Sequence, residues 1–194
     1  MDRFELVVVA ASAGGVQALT KLVSDLPDDF GLAVVVVQHL DPRHRSLLVD
    51  ILARRSRLPV EQVDDSTMMV PGTVYVAPPG SHVLVNADGT LSLSHAELVN
   101  FVRPSADLLF ESAAASFTDK VIAVVLTGTG EDGASGALAV HKMGGTVLAQ
   151  DEGSSDFFGM PRAAIATGAV DFVLPLEEIA AALVTLSNTV EGGS

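Results

Sequence analysis

The sequence predicts a three-layer α/β fold: a doubly wound, mostly parallel sheet with helices on both faces and an antiparallel β-hairpin at one edge. Continuous apolar runs at residues 6–10, 33–37 and 121–126 are rich in Val and do not alternate, as is typical of strands buried on both faces. Helical patterns separate these runs, and such alternation of strands with helices predicts parallel pairing. Strand-like alternation around a turn at residues 86–89 predicts the hairpin.

The remaining elements follow from their start and stop signals. Apolar residues recur at helical spacing from Val16 to Leu26, until Pro27 ends the pattern. Further helices are predicted from residues 104–105, from 132–133 to a glycine stop at 144–145, and over 175–186, with strands at 146–150 and 170–174. We expect a single domain over residues 1–189 and a flexible tail at 190–194.

Composition narrows the class of protein. Of the 194 residues, 48% are apolar and 5% are aromatic, so the core must be built from Val, Leu and Ala. The apolar runs are shorter than the roughly 20 residues of a membrane-spanning helix, and acidic residues near the start argue against a cleaved signal peptide. The chain contains no Cys, which excludes thiolate chemistry and fits a reducing compartment. A cytoplasmic location is therefore predicted.

The charge balance bears on the partners. There are 11 Lys and Arg residues against 24 Asp and Glu residues, giving a net charge of −13, which argues against a nucleic-acid partner. Basic residues cluster between Arg43 and Arg57, on a predicted helix. We interpret this cluster as a solvated helix face, with a docking patch for an acidic partner as the alternative.

Three polar residues follow the three buried runs. In an open parallel sheet, ligands bind beyond the carboxyl ends of the strands. Ser12 and two glycines follow the first run, His39 follows the second, and Asp132 lies in the glycine-rich turn after the third. A hydroxyl, an imidazole and a carboxylate are therefore expected at one edge of the sheet. Gln38 should point to the opposite face from His39, and no role is assigned to it.

These groups are the set that acyl transfer needs. An imidazole takes the proton of a serine hydroxyl, and a carboxylate fixes the imidazole tautomer. The predicted helix after Ser12 offers free N–H groups where an oxyanion would form. Structural alternatives remain: Ser12 and Asp132 could cap the helices that follow them, and His39 could simply end a strand. The glycine-rich turns could also bind an anion, although neither fits a dinucleotide-binding or P-loop pattern.

The other histidines carry weaker signals. His44 lies in the loop after His39 and is a candidate for lining the same cleft. His82, His95 and His141 show no metal-ligand spacing, so hairpin or surface roles are predicted for them and no metal site is predicted.

With these residues assembled, the sequence resembles the catalytic domain of the chemotaxis protein-glutamate methylesterase family (CheB type), from residue 4 to about residue 186. Six blocks in the family's order carry the resemblance: ASAGG (11–15), VVVVQHL (34–40), PGTVYVAPPGSH (71–82), RPSAD (103–107), VLTGTGEDGASG (125–136) and FGMPRAA (158–164). Six blocks in order are a far more specific signal than one glycine-rich turn.

The resemblance implies roles for individual residues. Ser12 would be the nucleophile, His39 the general base and then acid, and Asp132 the orienting carboxylate. The backbone N–H groups of Ala13 and Thr129 would bind the oxyanion. Arg103 would lie near the substrate cleft.

The resemblance also implies an activity and a partner. The family hydrolyses γ-glutamyl methyl esters on the cytoplasmic helices of chemoreceptors and releases methanol, and some members also deamidate receptor glutamines. No cofactor is implied, and neither nucleic-acid binding nor membrane insertion is expected.

The sequence departs from the family pattern in several places. It begins at the first strand of the catalytic domain, which leaves no room for the N-terminal receiver domain of well-known members and predicts no regulation by phosphorylation in cis. Ala10 stands where glycine is common, Ala13 where a hydroxyl residue is common, and Thr129 where methionine is common. None of these changes removes a catalytic group. Two alternatives remain: a non-catalytic binding module, and an esterase acting on another modified protein or a small ester.

Overall fold

A computed structural model describes residues 4–43 and 46–189. Its strands are β1 (Leu6–Ala11), β2 (Ala33–Gln38), β3 (Val60–Gln62), β4 (Thr67–Met68), β5 (Val74–Val76), β6 (His82–Val85), β7 (Thr90–Ser94), β8 (Val121–Val125), β9 (Thr146–Gln150) and β10 (Phe172–Leu174). Its helices are α1 (Gly15–Asp25), α2 (Leu48–Ala53), α3 (Ala106–Phe117), α4 (Ala134–Lys142), α5 (Gly159–Ala166) and α6 (Leu176–Ser187).

The main sheet has seven parallel strands in the part of the chain described, in the order β10-β9-β8-β1-β2-β5-β3. From β1 the chain moves outward through β2 towards β5 and β3, and later returns to the other side of β1 with β8. The strand order thus reverses between β1 and β8. A crevice opens beyond the carboxyl ends of the strands at such a reversal, which is where ligands bind in open α/β sheets.

Alternation along the central strands divides the core into two layers. Val7 and Val9 face the helices α1, α2 and α6 on one side of the sheet. Leu6 and Val8 face α3, α4 and α5 on the other side. All four residues are fully buried, because both faces of the sheet are covered, and this explains why the strands are apolar without a break. The predicted fold class is confirmed.

The hairpin is present, but it lies outside the main sheet. Its strands β6 and β7 pair antiparallel, and with β4 they form a separate three-stranded sheet. The segment before the hairpin, β5, is instead a buried parallel strand between β2 and β3. Pro78 and Pro79 follow β5, and because proline has no N–H for the ladder, the chain leaves the main sheet there.

Two further differences concern segments at the surface. The short helix α5 was not among the predicted elements; it packs against α4, β8 and β9. The basic cluster spans more than a helix, because α2 covers residues 48–53 and the exposed Arg54, Arg55 and Arg57 follow it. The expected tail at residues 190–194 lies outside the described residues. Among the helices described, none is long and apolar enough to cross a membrane.

Candidate active site

The ends of three adjacent strands bring the candidate residues together. Pairing continues just past the strands: His39 N–H donates to Ala11 O (3.1 Å) and Ser12 N–H donates to Thr127 O (3.0 Å). The backbone at Ser12 is therefore held between the chain segments that follow β2 and β8. Ser12, His39 and Asp132 all line one cleft of about 740 Å³.

His39 and Asp132 form a close pair. Nε2 of His39 lies 2.7 Å from Oδ2 of Asp132, although the two residues are 93 positions apart in the sequence. An ionised carboxylate can only accept a hydrogen bond, so Nε2 carries the proton and Nδ1 keeps its lone pair. Nδ1 is thus the nitrogen that remains available as a base.

The carboxylate of Asp132 is enclosed by donors. Oδ1 accepts from the Ser105 hydroxyl and from Asp107 N–H (both 3.0 Å), and Oδ2 accepts from Ala106 N–H (2.7 Å) as well as from His39. Burial alone would raise the pKa of Asp132, but the hydrogen bonds from His39 and the two N–H groups outweigh it and lower the pKa below its ordinary value. Asp132 is therefore charged next to His39.

The helices α3 and α4 exchange their caps. Asp132 precedes α4, yet its side chain binds N–H groups at the start of α3. Asp107, in the first turn of α3, accepts from Gly133 N–H (2.9 Å) and Gly136 N–H (2.8 Å) at the start of α4. Each carboxylate thus satisfies N–H groups that the other helix leaves free. The interpretation of Asp132 as a cap for its own helix is wrong.

The raised pKa of Asp107 predicts how the stability of the fold depends on pH. Burial, with the nearby Asp132 adding to it, raises the pKa of Asp107 from 3.8 to about 6, so the folded chain holds this proton after the unfolded chain has released it. The free energy of unfolding should therefore fall as pH rises from about 4 to 6, by up to about 3 kcal/mol for this group. Asp107→Asn keeps an acceptor oxygen but cannot ionise. The free energy of unfolding of Asp107→Asn minus that of wild type should therefore increase by up to about 3 kcal/mol between about pH 4 and pH 7.5.

Urea unfolding of both proteins at the two pH values measures this difference. Glu61→Gln, at an exposed carboxylate on β3, controls for the loss of one negative charge. A difference between Asp107→Asn and wild type that stays constant with pH would contradict the assignment.

The hydroxyl of Ser12 does not cap the helix that follows it. The residue before α1 is Gly14, with φ of 76° and no side-chain cap, so Ser12 does not cap this helix. Among the described residues the Ser12 hydroxyl has no hydrogen-bond partner, and the residue is half-buried at the cleft. The left-handed backbone at Gly14 turns the chain sharply from β1 into α1.

The predicted oxyanion donors lie on two turns close to Ser12. Ala13 follows Ser12 directly, and Thr129 belongs to the turn after β8. The N–H groups of Ala13 and Thr129 donate to no acceptor within residues 4–43 and 46–189. The turn before Thr129 is fixed because Gly128 N–H donates to Phe157 O and Gly128 O accepts from Met160 N–H (both 2.9 Å). This turn is also close to Ser12, since a Cβ at position 128 would lie 2.9 Å from Ser12 Cβ. The use of both N–H groups by an oxyanion stays a prediction.

The structure does not place Arg103 or His44, the two residues suggested as substrate contacts, in the cleft. The guanidinium of Arg103 donates to the carbonyl oxygens of His95 (3.2 Å) and Ala96 (2.9 Å), and Arg103 is not among the residues that line the cleft. Its contact with substrate stays a prediction. His44 lies outside the described residues. Arg162, which no sequence argument identified, lines the cleft and offers it a cation.

Gln38 makes contacts that the sequence did not predict. It is buried, with 4% of its surface exposed, and its Nε2 donates to Ser12 O (2.8 Å) and His39 O (3.1 Å). Its Oε1 is buried without a partner in the described structure, and a Cβ on Gly15 would lie 2.0 Å from it. Gln38 therefore ties the backbone of Ser12 to that of His39 from beneath the α1 turn.

His82 also supports the site from a distance. It is fully buried, its Nδ1 accepts from Ser105 N–H (3.0 Å), and its Nε2 donates to Glu97 O (2.9 Å). The ring thereby fixes the residue whose hydroxyl binds Asp132. In the described part of the chain, no group of His, Cys, Asp and Glu residues is arranged to hold a metal ion.

Comparisons with known proteins identify the family and the fold. The family model for CheB methylesterase matches residues 7–183. The crystal structure of the Thermotoga maritima CheB methylesterase catalytic domain superposes with a TM-score of 0.91 at 38% identity, covering 94% of this chain and 98% of that one.

Relatives of two lengths match the chain. A relative from Leptospira interrogans, named for protein-glutamate methylesterase and protein-glutamine glutaminase activities, is 39% identical over 185 residues, which are 95% of this chain and 96% of the relative. Protein-glutamate methylesterase FrzG of Myxococcus xanthus is 41% identical over 180 residues, which are 93% of this chain and 54% of FrzG. With the match to the family model over nearly its whole length, these similarities show that the chain belongs to the CheB methylesterase family.

Proposed function

We propose that this protein is a serine hydrolase that removes methyl esters from glutamate side chains of chemoreceptors and releases methanol. The observation that carries the proposal is the His39–Asp132 pair, 2.7 Å apart, in the cleft that Ser12 also lines. Membership of the CheB methylesterase family supports the reaction type. The proposed substrate is the cytoplasmic helical region of the receptor, so the proposed location is the cytoplasm.

The first half of the reaction forms an acyl-enzyme. Ser12 Oγ attacks the ester carbonyl carbon while His39 Nδ1 takes the hydroxyl proton, and Asp132 stabilises the imidazolium that results. The carbonyl oxygen becomes an oxyanion, for which the N–H groups of Ala13 and Thr129 are the proposed donors. When the tetrahedral intermediate collapses, the bond to the methoxy oxygen breaks, and that oxygen takes the proton from His39 and leaves as methanol.

The second half returns the enzyme to its starting state. Water gives a proton to His39 Nδ1 and attacks the acyl carbon, and the Ser12 ester bond breaks as His39 returns the proton to Oγ. The product is the free glutamate side chain. A glutamine amide follows the same path with ammonia as the leaving group, so deamidation is part of the proposal.

Methanol release from a methylated receptor fragment tests the proposal. The purified protein is mixed with a fragment that carries isotopically labelled methyl esters, and we expect labelled methanol in the volatile fraction. If the folded protein releases none, the proposed function is wrong. Turnover of simple esters without turnover of the receptor fragment would favour an esterase with another substrate.

Gln38 is expected to affect turnover without being a catalytic residue. Gln38→Leu fills a similar volume but removes the donor that links Ser12 O to His39 O. Because small displacements of reacting groups are costly, we expect kcat to fall on the order of 10-fold to 100-fold, with KM nearly unchanged. The melting temperature should change little, since the unpaired Oε1 is removed as well.

Steady-state kinetics and thermal unfolding of Gln38→Leu separate positioning from stability. The control is Gln17→Leu, the same change at an exposed position of α1, which should leave kcat as in wild type. Wild-type kcat in Gln38→Leu would show that the bridge does not position the catalytic groups.

A further inference from the structure

A strained turn stands at the mouth of the cleft. Val99 N–H donates to Val102 O (3.1 Å) and Val102 N–H donates to Val99 O (3.0 Å), so only Asn100 and Phe101 connect them. Both connecting residues are left-handed, with φ of 50° and 66°. Two positive φ values in a two-residue loop are the pattern of a type I′ turn, whose second position strongly favours glycine. Asparagine tolerates this backbone, but phenylalanine rarely adopts it.

The side chain of Phe101 contributes almost no packing to the fold. It is 94% exposed, the highest value among the exposed large hydrophobic residues, and its neighbour Leu98 is 56% exposed. A residue in an unfavourable backbone region persists when the surroundings hold it there, and such residues concentrate at functional sites. Folding stability alone would favour glycine at this position.

The surroundings do hold the turn in place. Asn100 Nδ2 donates to Asp107 Oδ2 (3.3 Å), which ties the turn to the first turn of α3. On the other side, Arg103 donates to the carbonyl oxygens of His95 and Ala96. The turn is therefore a fixed part of the rim, and Phe101 is presented to solvent at a defined place.

The turn that carries Phe101 forms part of the wall of the candidate active-site cleft. Asn100, Phe101 and Val102 line the same cavity as Ser12 and His39. At about 740 Å³ the cavity is in the size range of sites for whole small molecules, roughly 300–1,000 Å³, so a methyl-glutamyl side chain leaves much of it open. The rest of the space is available to the polypeptide that carries the ester.

We infer that Phe101 is a docking contact for the methylated protein, packing on apolar side chains beside the esterified glutamate. The inference rests on the proposed function, and it assigns Phe101 to recognition of the protein rather than to the chemistry at the ester. An exposed aromatic side chain with few rotatable bonds suits such a contact. The strain at Phe101 is then the cost of keeping an aromatic side chain at the rim.

Phe101→Gly tests the inference because it predicts two effects of opposite sign. Glycine relieves the left-handed backbone, so the melting temperature should rise by about 2–4 °C. The same change removes the contact, so kcat/KM for a methylated receptor fragment should fall at least about 10-fold, mainly through KM. With p-nitrophenyl acetate, which is too small to reach across the cleft, the fall should be at least several times smaller.

Two matched variants complete the experiment. Ser66→Gly relieves a left-handed residue (φ of 63°) that is exposed and does not line the cleft, so it should raise the melting temperature and leave both activities unchanged. Phe101→Leu keeps an apolar side chain and the strain, so it should keep the wild-type melting temperature and most of the activity on the receptor fragment.

The outcomes separate the two proposals. If wild type releases methanol from the fragment and Phe101→Gly does so equally well, the docking inference is wrong and the proposed function stands. An equal loss on the fragment and on p-nitrophenyl acetate also overturns the inference, because it would place Phe101 in the ester site. If wild type hydrolyses p-nitrophenyl acetate but releases no methanol from the fragment, the proposed function fails, and the inference fails with it.

Discussion

Ser12→Ala is expected to lower methanol release by about 10⁶-fold. The substitution removes the oxygen that is proposed to attack the ester, while leaving the cleft, the His39–Asp132 pair and the proposed backbone donors in place. A residual rate of about 10³–10⁴ over the reaction in water should remain from oxyanion binding and substrate binding. Because the Ser12 hydroxyl has no hydrogen-bond partner among the described residues, the melting temperature should stay at the wild-type value.

The measurement is methanol release under single-turnover and steady-state conditions, together with thermal unfolding. Ser24→Ala, in α1, removes a hydroxyl that donates to Lys21 O and to no other acceptor among the described residues, so it should leave the rate unchanged. A Ser12→Ala protein that works within a factor of ten of wild type would show that another group is the nucleophile.

Asp132→Asn is expected to lower the rate by about 10⁴-fold and also to destabilise the fold. In the described part of the chain, the hydrogen-bond partners of the two carboxylate oxygens are all donors: His39 Nε2–H and Ala106 N–H at Oδ2, Ser105 Oγ–H and Asp107 N–H at Oδ1. An amide NH₂ in either position meets a backbone N–H that then has no acceptor. If the NH₂ takes the Oδ2 position, it also drives the His39 proton to Nδ1, where the base is needed.

Rates and melting temperatures of Asp132→Asn test both effects. Asp25→Asn, which loses a surface ion pair with Lys21, is the control for removing an aspartate charge and should change neither quantity strongly. If Asp132→Asn kept the wild-type rate, His39 would not depend on this carboxylate for its tautomer.

The sequence was most informative where one local rule decides the outcome. The unbroken valine runs identify strands covered on both faces, and parallel strands place their carboxyl ends at one edge. These two rules were enough to place Ser12, His39 and Asp132 at the same edge, as the structure shows. They did not require knowledge of any side-chain contact.

The features that the sequence did not predict depend on contacts between distant segments. The bonds of Gln38 to two carbonyl oxygens arise from how the α1 turn lies over β2, which no local pattern reports. The separate sheet of the hairpin depends on β4, a strand of two residues with no sequence signal of its own. The exchange of caps between Asp107 and Asp132 joins residues 25 positions apart, whereas local pattern assigns each aspartate to its nearest helix.

The exchanged caps have a consequence for any attempt to transplant this site into another scaffold. A graft of Ser12, His39 and Asp132 alone would leave the aspartate without the start of α3, and so without the N–H groups that keep it charged while buried. The transferred α3 must also keep Asp107, because Asp107 accepts hydrogen bonds from the start of α4 and so holds the loop that bears Asp132. The smallest transferable unit is therefore a strand-end serine and histidine together with an interlocked helix pair.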